Sequence, residues 1–228
     1  IVAVGARQAG DLDKGHVRIY KNVNNVWTQI GSDIIGDANF DEAGSSVVMS
    51  HDGNIVAIGS PLSDVNGSKS GKVKVYKNQN DTWVQVGADI LGEAANDEFG
   101  NALDMSADGS ILAIGSAFNS ANKGQIRVFR NENNTWTQLG STISGEVGGD
   151  YLGYSLSLSD DGFTLASHDA RGNNANPQHL RVFKYNNSNW EIKGSIISID
   201  KLSSIRGSVS LSSNGNRLAY SDPSKKKA

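Results

Sequence analysis

Three pairs of acidic side chains recur at matched positions: Asp37 with Asp41, Glu93 with Asp97, and Glu146 with Asp150. Each pair stands seven and three residues ahead of a glycine, Gly44, Gly100 or Gly153. Paired carboxylates are hard oxygen donors, so the chemistry they offer is binding of a cation or a polar ligand. Short acidic side chains also accept backbone N–H groups within their own loops. That second role explains why successive copies keep the acids, and it is the expectation carried forward. A fourth copy loses the pattern, with Asp200 and Ser204 at the matching places, so the acids cannot complete a ring.

Other side chains offer less. The chain has no cysteine, which removes disulfides, thiolate zinc sites and thiol catalysis. His16, His51, His168 and His179 share no repeat position and stand at no ligand spacing. Ser167-His168-Asp169 is contiguous, whereas a catalytic triad is assembled from separate segments, so it reads as divergence within one copy. No catalytic set emerges, and the chain is expected not to be an enzyme. Sequons at Asn66, Asn80, Asn133 and Asn186 coincide with turns, where asparagine is favoured for conformational reasons.

These residues ride on a repeat. Trp27, Trp83, Trp136 and Trp190 are 56, 53 and 54 positions apart. The same period carries Gly31, Gly87, Gly140 and Gly194, the hairpin glycines from Gly44 to Gly207, and the turns Asp52-Gly53, Asp108-Gly109, Asp161-Gly162 and Asn214-Gly215. One unit reads as four strands: 102–106, 111–115, 125–129 and 135–139. A turn over 130–134 joins the last two, and a loop over 141–152 leads to the next unit. Asp-Gly between alternating apolar runs marks the first two as a hairpin. Four short antiparallel strands in about 50 residues predict an all-β chain, a β-propeller of four-stranded antiparallel blades. The units are 1–43 (partial), 44–99, 100–152, 153–206 and 207–228 (partial), within a single propeller region, 1–228. The tryptophans, with Tyr20, Tyr76, Phe129 and Phe183, are expected to pack between blades.

Phe99-Gly100 before the first strand and Gly59-Ser60-Pro61 after the second resemble the FG-GAP repeat of the integrin α-subunit propeller. Ala43-Gly44, Leu152-Gly153, Arg206-Gly207 and Gly115-Ser116-Ala117 are worn versions. The pattern is also similar to Trp-containing propeller repeats of predicted bacterial and algal surface proteins. The resemblance implies a wheel of about seven blades, of which this chain is an open arc or fragment. Calcium-binding FG-GAP blades carry an Asp-x-Asp-x-Asp-Gly-like loop in the first hairpin. Here that hairpin is tight, as in Ser106-Ala107-Asp108-Gly109, so the resemblance does not carry calcium sites over. Calcium is left with weak candidates: Asp64 and Asn66 in the loop between the second and third strands, and Glu93, Asp97, Glu146 and Asp150.

The formal net charge of −3 comes without a basic stripe, which argues against a nucleic-acid partner. No apolar run approaches the roughly 18 residues of a membrane span, so no membrane insertion is expected. The chain starts inside a strand-like run, Ile1-Val2-Ala3-Val4-Gly5, and is expected to be part of a larger polypeptide. The leading expectation is a non-catalytic extracellular or cell-surface adhesion module with a protein or glycan ligand. The alternatives are a carbohydrate-active enzyme or lectin-like propeller with an axial site, and a structural spacer. Specificity is expected in segments that differ between copies, such as 117–123.

Overall fold

The computed structural model describes residues 1–169, 178–199 and 207–221. Asp200 and Ser204 lie outside the described residues. The described chain is all-β apart from single helical turns. The first blade contains β1 (Val2–Ala6), β2 (His16–Val23), β3 (Val26–Gln29) and β4 (Ile34–Ile35). The second contains β5 (Ser46–Met49), β6 (Ile55–Ser60), β7 (Lys72–Gln79), β8 (Thr82–Gln85) and β9 (Ile90–Leu91). The third contains β10 (Ala102–Met105), β11 (Ile111–Ser116), β12 (Gln125–Glu132), β13 (Thr135–Gln138) and β14 (Ile143–Ser144), with one helical turn, α1 (Asn119–Asn122), between β11 and β12. The fourth contains β15 (Ser155–Leu158), β16 (Thr164–Asp169), β17 (Gln178–Tyr185), β18 (Trp190–Ile192) and β19 (Ile197–Ile199). A hairpin of β20 (Ser208–Leu211) and β21 (Leu218–Ser221) follows.

Each blade is an antiparallel meander. In the third, the order is β10-β11-β12-β13, and β14 also pairs with β12. The outer strand is therefore broken: β13 pairs with Phe129–Glu132, while β14 returns to pair with Gln125 and Ile126. This corrects the expected loop over 141–152. The expected turn at 130–134 also shrinks to Asn133-Asn134, because Arg130 to Glu132 continue the ladder. Both turn residues have positive φ (52° and 64°), the two-residue geometry that asparagine tolerates and that matches strand twist.

The first hairpin of the second, third and fourth blades is closed by its own side chains. Ser106 Oγ donates to Asp108 Oδ1 at 2.7 Å, and the N–H groups of Ser110 and Ile111 donate to Asp108 Oδ1 and Ser106 Oγ. Ser50 with Asp52 and Ser159 with Asp161 repeat the device. The Ser50 hydroxyl and the Asn54 N–H hold the Asp52 carboxyl below its ordinary range. The turns also link one blade to the next: His51 N–H donates to Ala107 O, Ala107 N–H to Asp160 O, and Asp160 N–H to Ser213 O.

Apolar clusters fill the seams between blades. One joins Val73, Val75 and Phe99 to Leu112, Ile114 and Phe129; another joins Ile126 and Leu152 to Leu165, Phe183 and Trp190. Phe99, the aromatic of the Phe-Gly pair, is fully buried and meets Phe129 edge to face at 6.2 Å. Near the inner strands the backbones themselves touch. A Cβ at Gly5, Gly59 or Gly115 would collide with the carbonyl of Gly44, Gly100 or Gly153 in the next blade. His168 stands at the matching place in the fourth blade, and its ring lies 5.0 Å from that of Tyr220.

Candidate active site

Both classes of connecting loop, those between the second and third strands and those between blades, emerge at one end of the strands. The loop acids lie there. Asp41 Oδ2 accepts the N–H of Ala38. Asp97 Oδ2 accepts those of Glu93 and Ala94, and Asp150 Oδ2 those of Glu146 and Val147. All three are buried. Asp41 and Asp97 also reach into the next blade, accepting from Lys72 (2.9 Å) and Asn119 Nδ2 (2.6 Å), and so does the first acid of each pair. Asp37 pairs with Lys72 (2.7 Å) and Lys74 (2.6 Å), Glu93 with Arg127 (3.6 Å), and Glu146 with Arg181 (3.4 Å). Arg18, Lys74, Arg127 and Arg181 occupy one position of the third strand, a cationic repeat that the sequence reading passed over although it obeys the same period.

Arg127 shows what this cation does. Its guanidinium lies 5.0 Å from the centroid of Phe99 and 4.9 Å from that of Phe129, and donates to Leu91 O. Burial pulls its pKa down from the usual value, against the pull of Glu93 and Asp97. The fourth blade carries the most polar version of this level. Arg181 pairs with the buried Asp169 at 2.9 Å, and His168 Nε2 contacts Gln178 Oε1 at 2.9 Å.

Asp64 Oδ1 accepts the N–H of Lys69, and Asn66 Nδ2 donates to Gly92 O, so both tie down the loop that carries them. Among the described residues no three His, Asp or Glu side chains come together as a metal-binding set. The structure thus spreads Asp64, Asn66, Glu93, Asp97, Glu146 and Asp150 over separate loops and seams.

A cleft of about 540 Å³ opens on the loop-bearing end. It is lined by Arg7, Glu42, Ser45, Pro61, Leu62, Glu98, Asn101, Phe118 and Tyr154. These residues flank the starts of inner strands β5, β10 and β15 and the ends of β1, β6 and β11, so several blades converge on the cleft. Glu42 and Glu98 are equivalent, each two residues ahead of a hairpin glycine. Both have left-handed backbones (φ 51° and 48°), as has Tyr151 (52°) at the same place ahead of Gly153, so this backbone geometry belongs to the repeat. Burial raises the Glu98 carboxyl above its ordinary range; Lys69 opposes the rise and the charge of Glu42 adds to it. Arg7 stands 3.6 Å from Glu42. Asn101 Oδ1 is buried and has no hydrogen-bond partner among the described residues. Phe118 packs edge to face on Tyr151 at 5.7 Å and, with Tyr154, gives the cleft an aromatic side. The placement of Phe118 puts one residue of the variable segment 117–123 at the cleft.

A second cleft, of about 560 Å³, opens at the opposite end between the first blades. Its acids Asp52 and Asp108 are committed to their turns, and Asp81, Lys21, Lys77 and asparagines complete its wall. In the loop-bearing cleft two carboxylates, Glu42 and Glu98, feel each other's charge.

No family model and no curated protein matches the chain. Solved structures share its fold. A "putative 6-phosphogluconolactonase" from Bacteroides uniformis superposes with a TM-score of 0.60 at 14% identity, over 93% of this chain and 53% of that one. The protein of the same description from Bacteroides fragilis gives 0.57 at 12% identity, over 91% and 51%. The complex of KlAtg21 with the coiled-coil of AgAtg16 gives 0.60 at 16% identity, over 93% and 57%. The chain therefore spans about half the length of the structures it matches, and the likeness fixes a propeller-like fold.

The expectation of a non-catalytic adhesion module is overturned. Two of these propellers carry an enzyme's name. The cleft also brings together carboxylates from successive blades, which the sequence reading found only as loop acids. Glu42 and Glu98 were passed over because their partnership exists only across a seam.

Proposed function

We propose that the cleft is the active site of a hydrolase acting on a small cyclic ester of the sugar-acid class. The observation that carries this reading is the Glu42–Glu98 pair, with Glu98 held above the ordinary carboxylate range. A carboxylate raised above its ordinary range is a stronger base than a free one. Glu98 would take a proton from water while the water oxygen bonds to the ester carbonyl carbon. The ring C–O bond then breaks, and the proton on Glu98 passes to the departing ring oxygen. Water is consumed and a hydroxy acid is formed. Asn101 Oδ1 can accept a substrate hydroxyl, and Phe118 and Tyr154 offer apolar faces to a sugar ring. The enzyme name of the two Bacteroides propellers supports the reaction class.

Charge narrows the substrate. The cleft holds two carboxylates against one arginine already facing Glu42, so it favours a neutral lactone over a phosphorylated one. The test is acid release from 1,5-gluconolactone and from its 6-phosphate, measured with a pH indicator above the spontaneous rate. Faster turnover of the neutral lactone is the expected result; no acceleration of either substrate overturns the reading. The span of about half the matched structures also supports reading the blades as an arc of a wheel of about seven.

A further inference from the structure

Two of the seams open the same groove on the outer rim, of about 340 Å³ between the first and second blades and about 400 Å³ between the second and third. Both volumes fall within the range of small-molecule sites. Each groove is lined by a threonine and a tryptophan of one blade, Thr82 with Trp83 or Thr135 with Trp136, and by an aspartate of the blade before, Asp33 or Asp89. The indole N–H is spent on the seam, donating to Ile30 O at 3.1 Å or Val86 O at 3.0 Å. Both rings stay half-buried, which leaves a fixed aromatic surface in the groove. The carboxylates are fixed as well: Gln29 Nε2 donates to Asp33 Oδ1 at 2.8 Å, and Gln85 Nε2 to Asp89 Oδ1 at 2.7 Å. A carboxylate accepts about four hydrogen bonds. Asp33 also holds Arg18 at 2.9 Å, whereas Lys74 stands 3.9 Å from Asp89, so Asp89 keeps the larger accepting capacity. Tyr76 lines the first groove; burial, with the charges of Asp37 and Asp89 adding, pushes its hydroxyl up to about 12, so it keeps its proton and can donate.

The third seam shows the same design closed. Trp190 is 7% exposed, and Tyr185, its cross-strand neighbour, lies 5.4 Å from its ring. The other two blades carry Asn78 and Asn131 at that place. Asn189 Oδ1 accepts the Ser141 N–H across the seam, and Thr142 replaces the aspartate.

We propose that the two open rim grooves bind neutral saccharide units. The part-exposed indole offers its face to the C–H side of a sugar ring, and the aspartate accepts sugar hydroxyls through charge-assisted hydrogen bonds. The same carboxylates disfavour an anionic sugar. The inference is independent of the hydrolytic reading, because the cleft lies at the loop-bearing end and the grooves on the outer strands.

Isothermal titration calorimetry tests this with cellotetraose, laminaritetraose, maltotetraose and chitotetraose into the millimolar range, and with trigalacturonate as the charged probe. At least one neutral probe should bind, at two sites per chain, and trigalacturonate should bind more weakly than that probe. Asn131→Tyr copies the closed seam and should remove one of the two sites. Asp89→Ala should weaken the same site about tenfold or more, the scale of a lost charge-assisted hydrogen bond, and serves if the tyrosine variant fails to keep the parent's Tm. Failure of every neutral probe to bind overturns the proposal. So does binding that keeps the parent's stoichiometry and affinity in both variants, because the saccharide then sits elsewhere. Tighter binding of trigalacturonate than of any neutral probe also overturns it.

Discussion

Trp136 donates its indole N–H to the carbonyl of Val86 at 3.0 Å, fixing the outer edge of one blade to the one before it. The bond joins residues 50 positions apart and is repeated at Trp83 and Trp190. Trp136→Phe keeps an aromatic ring and loses the bond, which should cost about 1 kcal/mol. Trp136→Ala should cost about 3–5 kcal/mol, since an aromatic filling is also lost. Trp27→Phe should be close to neutral in this chain. Urea unfolding of the three variants checks the order.

Gly115 tests the inner end of the same seam. A methyl group there would meet the Gly153 carbonyl, and backbone cannot yield as a flexible side chain can. Gly115→Ala should therefore destabilise by about 1–3 kcal/mol, the usual range for overpacking. Thermal unfolding reads the effect, and Gly10→Ala is a poor control because its φ is +82°. Ala107→Ser, half-buried in the turn region and without a positive φ, serves better.

Arg127 is held between Phe99 and Phe129 and bonded to Leu91 O, so its planar guanidinium matters as much as its charge. Arg127→Lys keeps the charge but loses the stacking and the fork of donors. A loss of about 1–2 kcal/mol is expected, on the scale of desolvated cation–π contacts. Glu93→Gln should cost less, because Glu93 is largely exposed. Equal losses in the two variants would place the stabilisation in the ion pair instead.

Asp104 gives a pH dependence with a defined sign. Burial raises its carboxyl above the ordinary range, against hydrogen bonds from the Leu158 and Met105 N–H groups and Ser157; Asp160 adds to the rise. The native state then binds the proton more tightly than the unfolded chain does. Its contribution is fully present below the ordinary value of about 3.9 and is lost as pH rises from there through the raised native value. Asp104→Asn removes this slope, so the difference in urea midpoint between variant and parent should grow in the variant's favour across that window. A constant difference from pH 3 to pH 7 contradicts the assignment.

The parts of the fold that the sequence disclosed are those where one residue type answers one local demand. Asp108-Gly109 is legible because the turn needs a carboxylate acceptor and a positive φ, and Trp136 because every seam needs the same large side chain. The two-residue strand Ile143-Ser144 was not legible: it is too short to carry an alternation, and only its pairing with β12 reveals it. Arg130, Asn131 and Glu132 look like a turn because an outer strand end faces water and needs no apolar residue. The cleft was hidden for another reason. Glu42 and Glu98 each read as an isolated loop acid until the inner strands bring consecutive copies to one place, and Phe118 joins them at a position that holds Leu62 in the preceding copy.

The account rests most heavily on Glu98 as the general base, and the pH profile of kcat/KM for hydrolysis of 1,5-gluconolactone by the parent and by Glu98→Gln tests it directly. The parent profile should rise with pH through an apparent pKa above the roughly 4.3 of an unperturbed glutamate. Glu98→Gln should remove that rise and lower kcat by about 100-fold or more, with KM little changed. A Glu98→Gln enzyme with the parent's kcat and the parent's pH profile would contradict it.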